Sequence, residues 1–393
     1  MTRSSPGRRG RLRTVLAVCA VLLPQAVFAE PLPPGRLHTN GNQIVDDAGH
    51  AVRIMAVNWF GLNSSRGAPG DLQGANWHVM LRAMVSEGFN ALRLPISNAL
   101  VEGKVDATDI NLILNPDLKG VSGLALLDKI IDEAGKVGLR VILDIHNSSA
   151  VDTPRANGLW YNVVYNQQHF LDDWKLLATR YGGGQTVIGA DLFNEPHDPC
   201  TWGDGNRPTD WALAATEAGN AVLKIAPGWL IIVDGIQRYR NVYTNWGGNL
   251  AGVLDHPITL AVPHQLVYSA HDYPASAVPE PYLDPKNYAK TAPVAWSAHW
   301  GFIMRRNIAP VFVGETGSSE LIEEDREWMR LFTTYLNTNT TGGKLPPGVV
   351  PMSFGWWSWN ANPEGNPIGL LRSDEASVNA GQRAALRALM QLP

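Results

Sequence analysis

The feature that most constrains this chain is a rhythm that begins near Gly41 and continues almost to the end. A short apolar run closes on polar residues, a loop follows, and then a segment with helical period. Eight such runs are readable: Val52–Asn58, Ala91–Pro95, Arg140–His146, Val187–Glu195, Leu230–Asp234, Gln265–His271, Val311–Glu315 and Met352–Trp357. Between them Leu124, Leu127, Ile130, Ile131, Ala134 and Val137 recur every three or four residues, the spacing of a helix with one buried face. Phe170, Trp174, Leu177 and Tyr181 repeat it, as do Glu327, Trp328, Leu331, Phe332 and Tyr335. Near-continuous apolar strands separated by helices are buried on both faces, which implies a parallel sheet. Eight of them predict one α/β domain, a closed (β/α)8 TIM barrel. An open doubly wound sheet fits less well, because Asn58-Trp59-Phe60-Gly61 stands where a Gly-rich phosphate loop belongs. Gly182 to Gly184 precede a strand and read as a loop. Gln43–Val45 and Val52–Ile54, around Asp46-Asp47-Ala48-Gly49, read as a short hairpin that plugs the barrel floor.

Ahead of the barrel, Arg8, Arg9, Arg11 and Arg13 precede an apolar run from Val15 to Leu23, and Val27-Phe28-Ala29 supplies the small residues of a cleavage site. This is the pattern of a secretory signal peptide, too short to span a bilayer comfortably. Residues 1–29 are therefore expected to be removed near Ala29, 30–40 to form an N-terminal extension, and 41–393 to form the barrel. The mature chain is expected in the extracellular medium or the periplasm, as a monomer with no membrane partner. Removing the leader's five arginines leaves 27 of the 32 basic residues against 36 acidic ones, a formal net charge of −9. Nucleic acid is thereby an unsuitable partner. Cys19 leaves with the leader and Cys200 stays alone, so no internal disulfide is expected.

In a barrel of this kind the loops after the strands build the active face, so polar residues at strand ends carry the chemistry. Strand two closes with Arg93, strand three with His146, strand four with Asn194 and Glu195, strand six with His271 and Tyr273, strand seven with Glu315 and strand eight with Trp357. Glu195 and Glu315 would then face each other across the mouth. Glycoside hydrolysis needs such a pair: one carboxyl protonates the leaving oxygen while the other attacks or activates water. The two duties demand different environments. Arg93 and His146 are expected to keep Glu315 ionised as nucleophile, with Tyr273 donating to it, and neutral surroundings to keep Glu195 protonated as acid/base. The amide of Asn194 suits the sugar hydroxyl beside the reacting carbon. Trp357 offers a flat apolar face to a pyranose ring, with Trp59, Trp246 and Trp359 as further candidates for substrate binding.

A metal site would draw on His146, His197, Asp198, His271 and Asp272, but their spacing matches no compact pattern such as H-E-x-x-H. A serine hydrolase lacks its G-x-S-x-G elbow. A non-catalytic carbohydrate-binding barrel would keep the aromatic floor, yet both glutamates are present.

Asp191-Leu192-Phe193-Asn194-Glu195-Pro196-His197 resembles the strand-four signature of glycoside hydrolase family five. Ala56-Val57-Asn58-Trp59-Phe60-Gly61, Leu92-Arg93-Leu94-Pro95, Tyr268-Ser269-Ala270-His271-Asp272-Tyr273, Val313-Gly314-Glu315 and Trp357-Ser358-Trp359-Asn360 look like the bacterial endoglucanase branch of that family, in order along the chain. The resemblance implies Glu195 as acid/base, Glu315 as nucleophile, and Arg93, His146, Asn194, His271, Tyr273 and Trp357 as the supporting set. It also implies retention of anomeric configuration, no cofactor and no metal, and a β-glucan such as cellulose as substrate. Mannanases and xyloglucanases share the same catalytic frame and stay open as alternatives. Two departures stand out. Thr316 follows the nucleophile where relatives often carry Phe, and no carbohydrate-binding module is recognisable, so crystalline substrate is expected to be attacked poorly.

Overall fold

The computed structural model describes residues 1–2, 31–151, 157–279, 283–361 and 367–391. Apart from its first two residues, the expected signal peptide lies outside the described residues. The chain enters through two short strands, β1 (Leu37–Asn40) and β2 (Gln43–Asp46). Eight parallel strands then close a barrel: β3 (Met55–Asn58), β4 (Ala91–Ser97), β5 (Arg140–Asn147), β6 (Val187–Asp191), β7 (Leu230–Asp234), β10 (Leu266–His271), β11 (Val311–Thr316) and β12 (Ser353–Trp356). β12 pairs with β3, which completes the ring. Between β7 and β10 a small antiparallel hairpin, β8 (Arg238–Tyr239) and β9 (Val242–Tyr243), stands on the loop face. The expected eight-strand (β/α)8 barrel is therefore what the chain forms.

Helices α1 (Trp77–Glu87), α2 (Asn98–Val101), α3 (Gly123–Val137), α4 (Gln167–Tyr181), α5 (Trp211–Leu223), α6 (Tyr288–Trp296), α7 (Phe302–Arg305), α8 (Glu323–Asn337) and α9 (Ala380–Met390) surround the barrel. Local sequence sets their ends. Ser122 caps α3 by accepting from the Ala125 amide, and Gly138 closes it in the left-handed region at φ 90°. Asn166 caps α4 through the amides of Gln168 and His169. The apolar periodic residues of α3, α4 and α8 turn inward, with Leu127, Ile130, Trp174, Leu177, Trp328 and Phe332 fully or almost fully buried, whereas Glu327 lies on the outer surface and pairs with Arg330.

The hairpin lies one turn earlier than its sequence suggests. β2 pairs with β1 through the Gly41-Asn42 turn, where Gly41 takes φ 56°. The Asp46–Gly49 segment is a second turn, fastened by the Asp46 carboxylate accepting from the amides of Ala48 and His50, and it closes a shorter antiparallel pairing in which Val45 bridges Ala51, Asp46 donates to the His50 carbonyl and Val52 donates to the Ile44 carbonyl. The 30–40 stretch thus supplies a strand of the hairpin. Leu37 and Ile44 pack with Ile54, Ala56, Ala91, Ile142, Ile188, Leu230, Ile232, Val267 and Phe312, an apolar floor at the end of the barrel opposite the active-face loops.

Candidate active site

The barrel interior switches from apolar to charged toward the carboxyl ends of the strands. Arg93 does not close its strand: β4 runs on to Ser97, so the guanidinium rises from mid-strand into the barrel, fully buried. It donates through Nε to Asp191 at 2.8 Å and through Nη1 to Asn58 at 2.9 Å and Glu315 at 2.7 Å. Through Nη2 it reaches Asn194 at 2.9 Å and Asp144 at 3.2 Å. A buried cation survives only with such partners. Burial opposes the charge of Arg93, but Asp144, Asp191, Glu315 and Asp234 outweigh it and hold the guanidinium firmly protonated. Burial pushes the carboxyls of Asp144 and Asp191 upward, against the pull of the same guanidinium.

His146 belongs to this network more than to Glu315. Its Nδ1 lies 2.7 Å from Asp144 and 4.0 Å from Glu315, while its Nε2 faces the Asn194 amide at 3.3 Å. With Oδ1 of Asn194 on Arg93 and Nδ2 toward His146, the amide is fixed in one orientation. Asn58 ties the strands beneath it, donating to the carbonyls of Gly314 and Trp356.

Glu315 is 4% exposed, with Oε1 on Arg93 and Oε2 accepting from the Tyr273 hydroxyl at 2.9 Å. Burial and the neighbouring carboxylate raise the Tyr273 phenol far above its ordinary range, so it remains a neutral donor. Glu195 lies beyond the end of its strand, because β6 stops at Asp191 and the residue itself takes φ 49°. Its amide donates to Asp234 at 2.9 Å. A non-glycine residue at positive φ is strained and needs such anchoring.

The surroundings of Glu195 are not neutral, contrary to expectation. His271 stands between the two glutamates, its Nδ1 3.0 Å from Glu195 and 3.6 Å from Glu315 and its Nε2 3.4 Å from Asp234. Burial would discharge this imidazole, but Glu315, Asp234 and Glu195 raise its pKa to about 10. His271 therefore stands beside Glu195 as a protonated donor at 3.0 Å. Gly314 makes room for the ring: a Cβ there would stand 2.9 Å from Nε2 of His271. One atom each of Glu195, His271 and Glu315 lie within 4.8 Å of one another. Among the described residues this is the group whose ligand atoms converge closely enough for a metal, and the set His146, His197, Asp198, His271 and Asp272 does not converge in that way.

The tryptophans divide. Trp357 sits in a small cluster with Phe60, Tyr273 and Ile368 at the mouth, stacked 5.4 Å from His146 at 13°. Its peptide to Ser358 is cis. Trp246 is partly exposed and stacks on His197 with centroids 3.8 Å apart. Trp357 is itself only 5% exposed, whereas Trp59 and Trp359, at 0% and 1%, lie deeper, within the main hydrophobic core. Trp59 follows the end of β3, and the loop turns it inward to donate to the Gly70 carbonyl. Trp357 and Trp359 both lie past the end of β12, so strand alternation does not set which way either one faces. Thr316 is fully buried, and its carbonyl accepts from the Trp357 amide at 2.7 Å.

Three acids escaped the sequence reading: Asp144, Asp191 and Asp234, all fully buried on barrel strands. A signal for them existed. Each interrupts or ends an apolar strand, and Asp144 shares a strand face with His146 at a spacing of two.

A parallel eight-strand barrel with two close carboxylates at its mouth, one under a guanidinium and a phenol, defines a glycoside hydrolase of the barrel type. Residues 45–363 match the family model described as Cellulase (glycosyl hydrolase family 5). The chain belongs to that family. It is 38% identical over 367 residues to an endoglucanase of Paenibacillus polymyxa, covering 91% of this chain and 87% of that protein. It is 34% identical over 356 residues to the major extracellular endoglucanase of Xanthomonas campestris pv. campestris, covering 89% and 70%. The solved catalytic domain of the Xanthomonas endoglucanase superposes with a TM-score of 0.81 at 33% identity, covering 90% of this chain and 99% of that one. An endocellulase from Pyrococcus horikoshii, solved with cellotetraose, superposes with a TM-score of 0.82 at 31% identity, covering 92% and 100%.

Proposed function

We propose that this protein is an exported, retaining endo-β-1,4-glucanase that cleaves internal bonds of cellulose or related soluble β-glucans by double displacement. Glu315 attacks the anomeric carbon while Glu195 protonates the departing oxygen; Glu195 then takes a proton from water, which releases the glycosyl group from Glu315. The observation that carries this reading is the approach of the two carboxylates, with an oxygen of each inside the 4.8 Å group around His271. Retaining enzymes hold the pair about 5 to 5.5 Å apart, and inverting ones need more room for water. Arg93 and Tyr273 hold Glu315 in place for attack, and Asn194 serves the hydroxyl next to the reacting carbon. Trp357 lies under the ring being cleaved. The β-glucan assignment rests on the endoglucanase relatives. Export rests on the basic and apolar leader and on the extracellular Xanthomonas relative; among the described residues no helix is long and apolar enough to cross a membrane.

Azide separates the roles of the glutamates. With an activated aryl β-cellobioside, Glu195→Ala should retain slow turnover, because a good leaving group needs no proton, and azide should yield a β-glycosyl azide. Glu315→Ala should be inert until azide replaces the nucleophile, and should then yield the α-azide. The opposite products would exchange the two roles.

A further inference from the structure

We propose that the barrel floor carries an oxyanion site, built by Arg140, Arg36 and the Trp229 indole, which takes a phosphate or carboxylate group and fastens the entering chain to the barrel. The site lies at the amino ends of the strands, away from the glutamate pair: Arg140 opens β5, Val187 opens β6 and Trp229 immediately precedes β7. A cavity of about 190 Å³ stands there, walled by residues 35–37, Arg140, residues 182–185, Val187, Ile188 and residues 227–229. It has room for several waters at about 30 Å³ each, or for one tetrahedral oxyanion.

Three arginines reach into the body of the protein, and their charges are answered differently. Arg93 meets Asp144, Asp191 and Glu315. Arg53, half-buried, has no carboxylate, but its Nε donates to the Met352 carbonyl, Nη1 to the Leu389 carbonyl and Nη2 to Asn337. Arg140 has neither arrangement in full. It is 8% exposed; Nη1 and Nη2 donate to the carbonyls of Pro33 and Gly35 at 2.6 and 2.7 Å, while Nε is buried with no partner. Among the described residues no carboxylate pairs with it, and burial lowers its pKa unopposed. A buried cation without a counter-charge is destabilising, and the group that relieves it must be negative.

The remaining walls add donors and no acid. Trp229 is 3% exposed and its Nε1 has no partner. Arg36 lays its stem against Gly228, where a Cβ would stand 2.7 Å from the arginine Cδ. Asp47 accepts from the Arg36 backbone amide at 3.0 Å but does not line the cavity, and Oε1 of Gln185 is turned to the Gly35 amide. The glycines at 182–184, which the sequence marks only as a loop, form a low wall: a Cβ on Gly183 would meet nothing within 4 Å. Bare backbone of this kind lets an anion approach closely. Two cations and two unpartnered N–H groups around one void select a ligand with negative charge and several acceptor oxygens. Water meets the donors but not the charge. An oxyanion held there links the residues leading into β1 with the starts of β5 and β7, so its effect belongs to stability rather than to hydrolysis.

The test is thermal melting of the full protein at pH 7 in sodium phosphate, sodium acetate or sodium chloride at equal ionic strength. Phosphate or acetate should raise the melting temperature above chloride in a saturable way, by about 3 °C at a concentration a hundredfold above the dissociation constant. A larger increment with phosphate identifies a phosphate-type ligand, and a larger one with acetate a carboxylate. Arg140→Gln should abolish the increment. Arg36→Gln, at an exposed position, and Trp229→Phe should each lose half of it or more, measured against the variant's own melting in chloride, and they keep the test valid if Arg140→Gln does not fold. Excluded anions stabilise proteins without a site. An increment that never saturates, or one that persists unchanged in both Arg36→Gln and Trp229→Phe, would therefore overturn the proposal, as would equal melting in all three salts.

Discussion

Tyr273 donates to Glu315 at 2.9 Å while Arg93 holds the other carboxylate oxygen, and the two contacts have different consequences when removed. Tyr273→Phe deletes one donor to Glu315 and leaves the aromatic ring in its cluster. A hydrogen bond to a charged group contributes about 1.5–3 kcal/mol, so kcat/KM should fall roughly 10- to 100-fold on polymer and aryl glycoside alike, with folding intact. A change below threefold would mean that Arg93 alone positions the nucleophile. Arg93 is a poor probe of catalysis by comparison. It holds Asp144, Asp191 and Glu315 at once in a fully buried network, and removing one partner of a buried pair costs about 3–5 kcal/mol. Arg93→Met should therefore lower the melting temperature markedly, and circular dichroism would register that before any assay did.

Among the elements, the β1–β2 hairpin and the active-face loops stand at opposite ends of the barrel, which separates stability from chemistry. Leu37 and Ile44 are 1% and 3% exposed within the floor cluster. Ile44→Ala should remove about 2–5 kcal/mol of stability in chemical denaturation, while kcat at a temperature well below melting stays within about twofold of wild type. A hairpin that could be hollowed without loss of stability would not be a plug. The hairpin's pairing was misread in sequence because two turns compete. Asp46-Asp47-Ala48-Gly49 carries the more familiar turn residues and does close a bridge between Val45 and Ala51, yet the longer ladder closes at Gly41-Asn42, where Leu37 packs into the floor.

For the whole molecule, buried acids outside the catalytic network should govern how stability changes with pH. Burial pushes Asp272 up to about 7, partly offset by nearby donors such as the Trp300 indole, which donates to its carboxylate at 3.4 Å. Its folded pKa thus exceeds the unfolded value near 3.9, so the native state binds the extra proton. That contribution is fully present below about pH 4 and is lost as pH rises toward 7. Asp272→Asn should remove the loss: its melting temperature relative to wild type should be higher at pH 7.5 than at pH 4.5. Parallel curves for the two proteins would show that Asp272 does not titrate across this range.

The alternation of apolar runs with helical periods was enough to give eight strands, a closed barrel and the two glutamates at its mouth, because buried parallel strands and amphipathic helices leave periodic traces in a single chain. The polar residues at strand ends were legible for the same reason. Contacts between distant strands leave no such trace. That Arg93 joins three acids, that His271 rather than neutral surroundings faces Glu195, and that Trp59 and Trp359 turn inward while Trp246 lies on His197 were decided by tertiary structure. Each depends on how strands remote in sequence are brought into register around the ring, and side-chain partners across that ring are set by three-dimensional proximity, which no local pattern encodes.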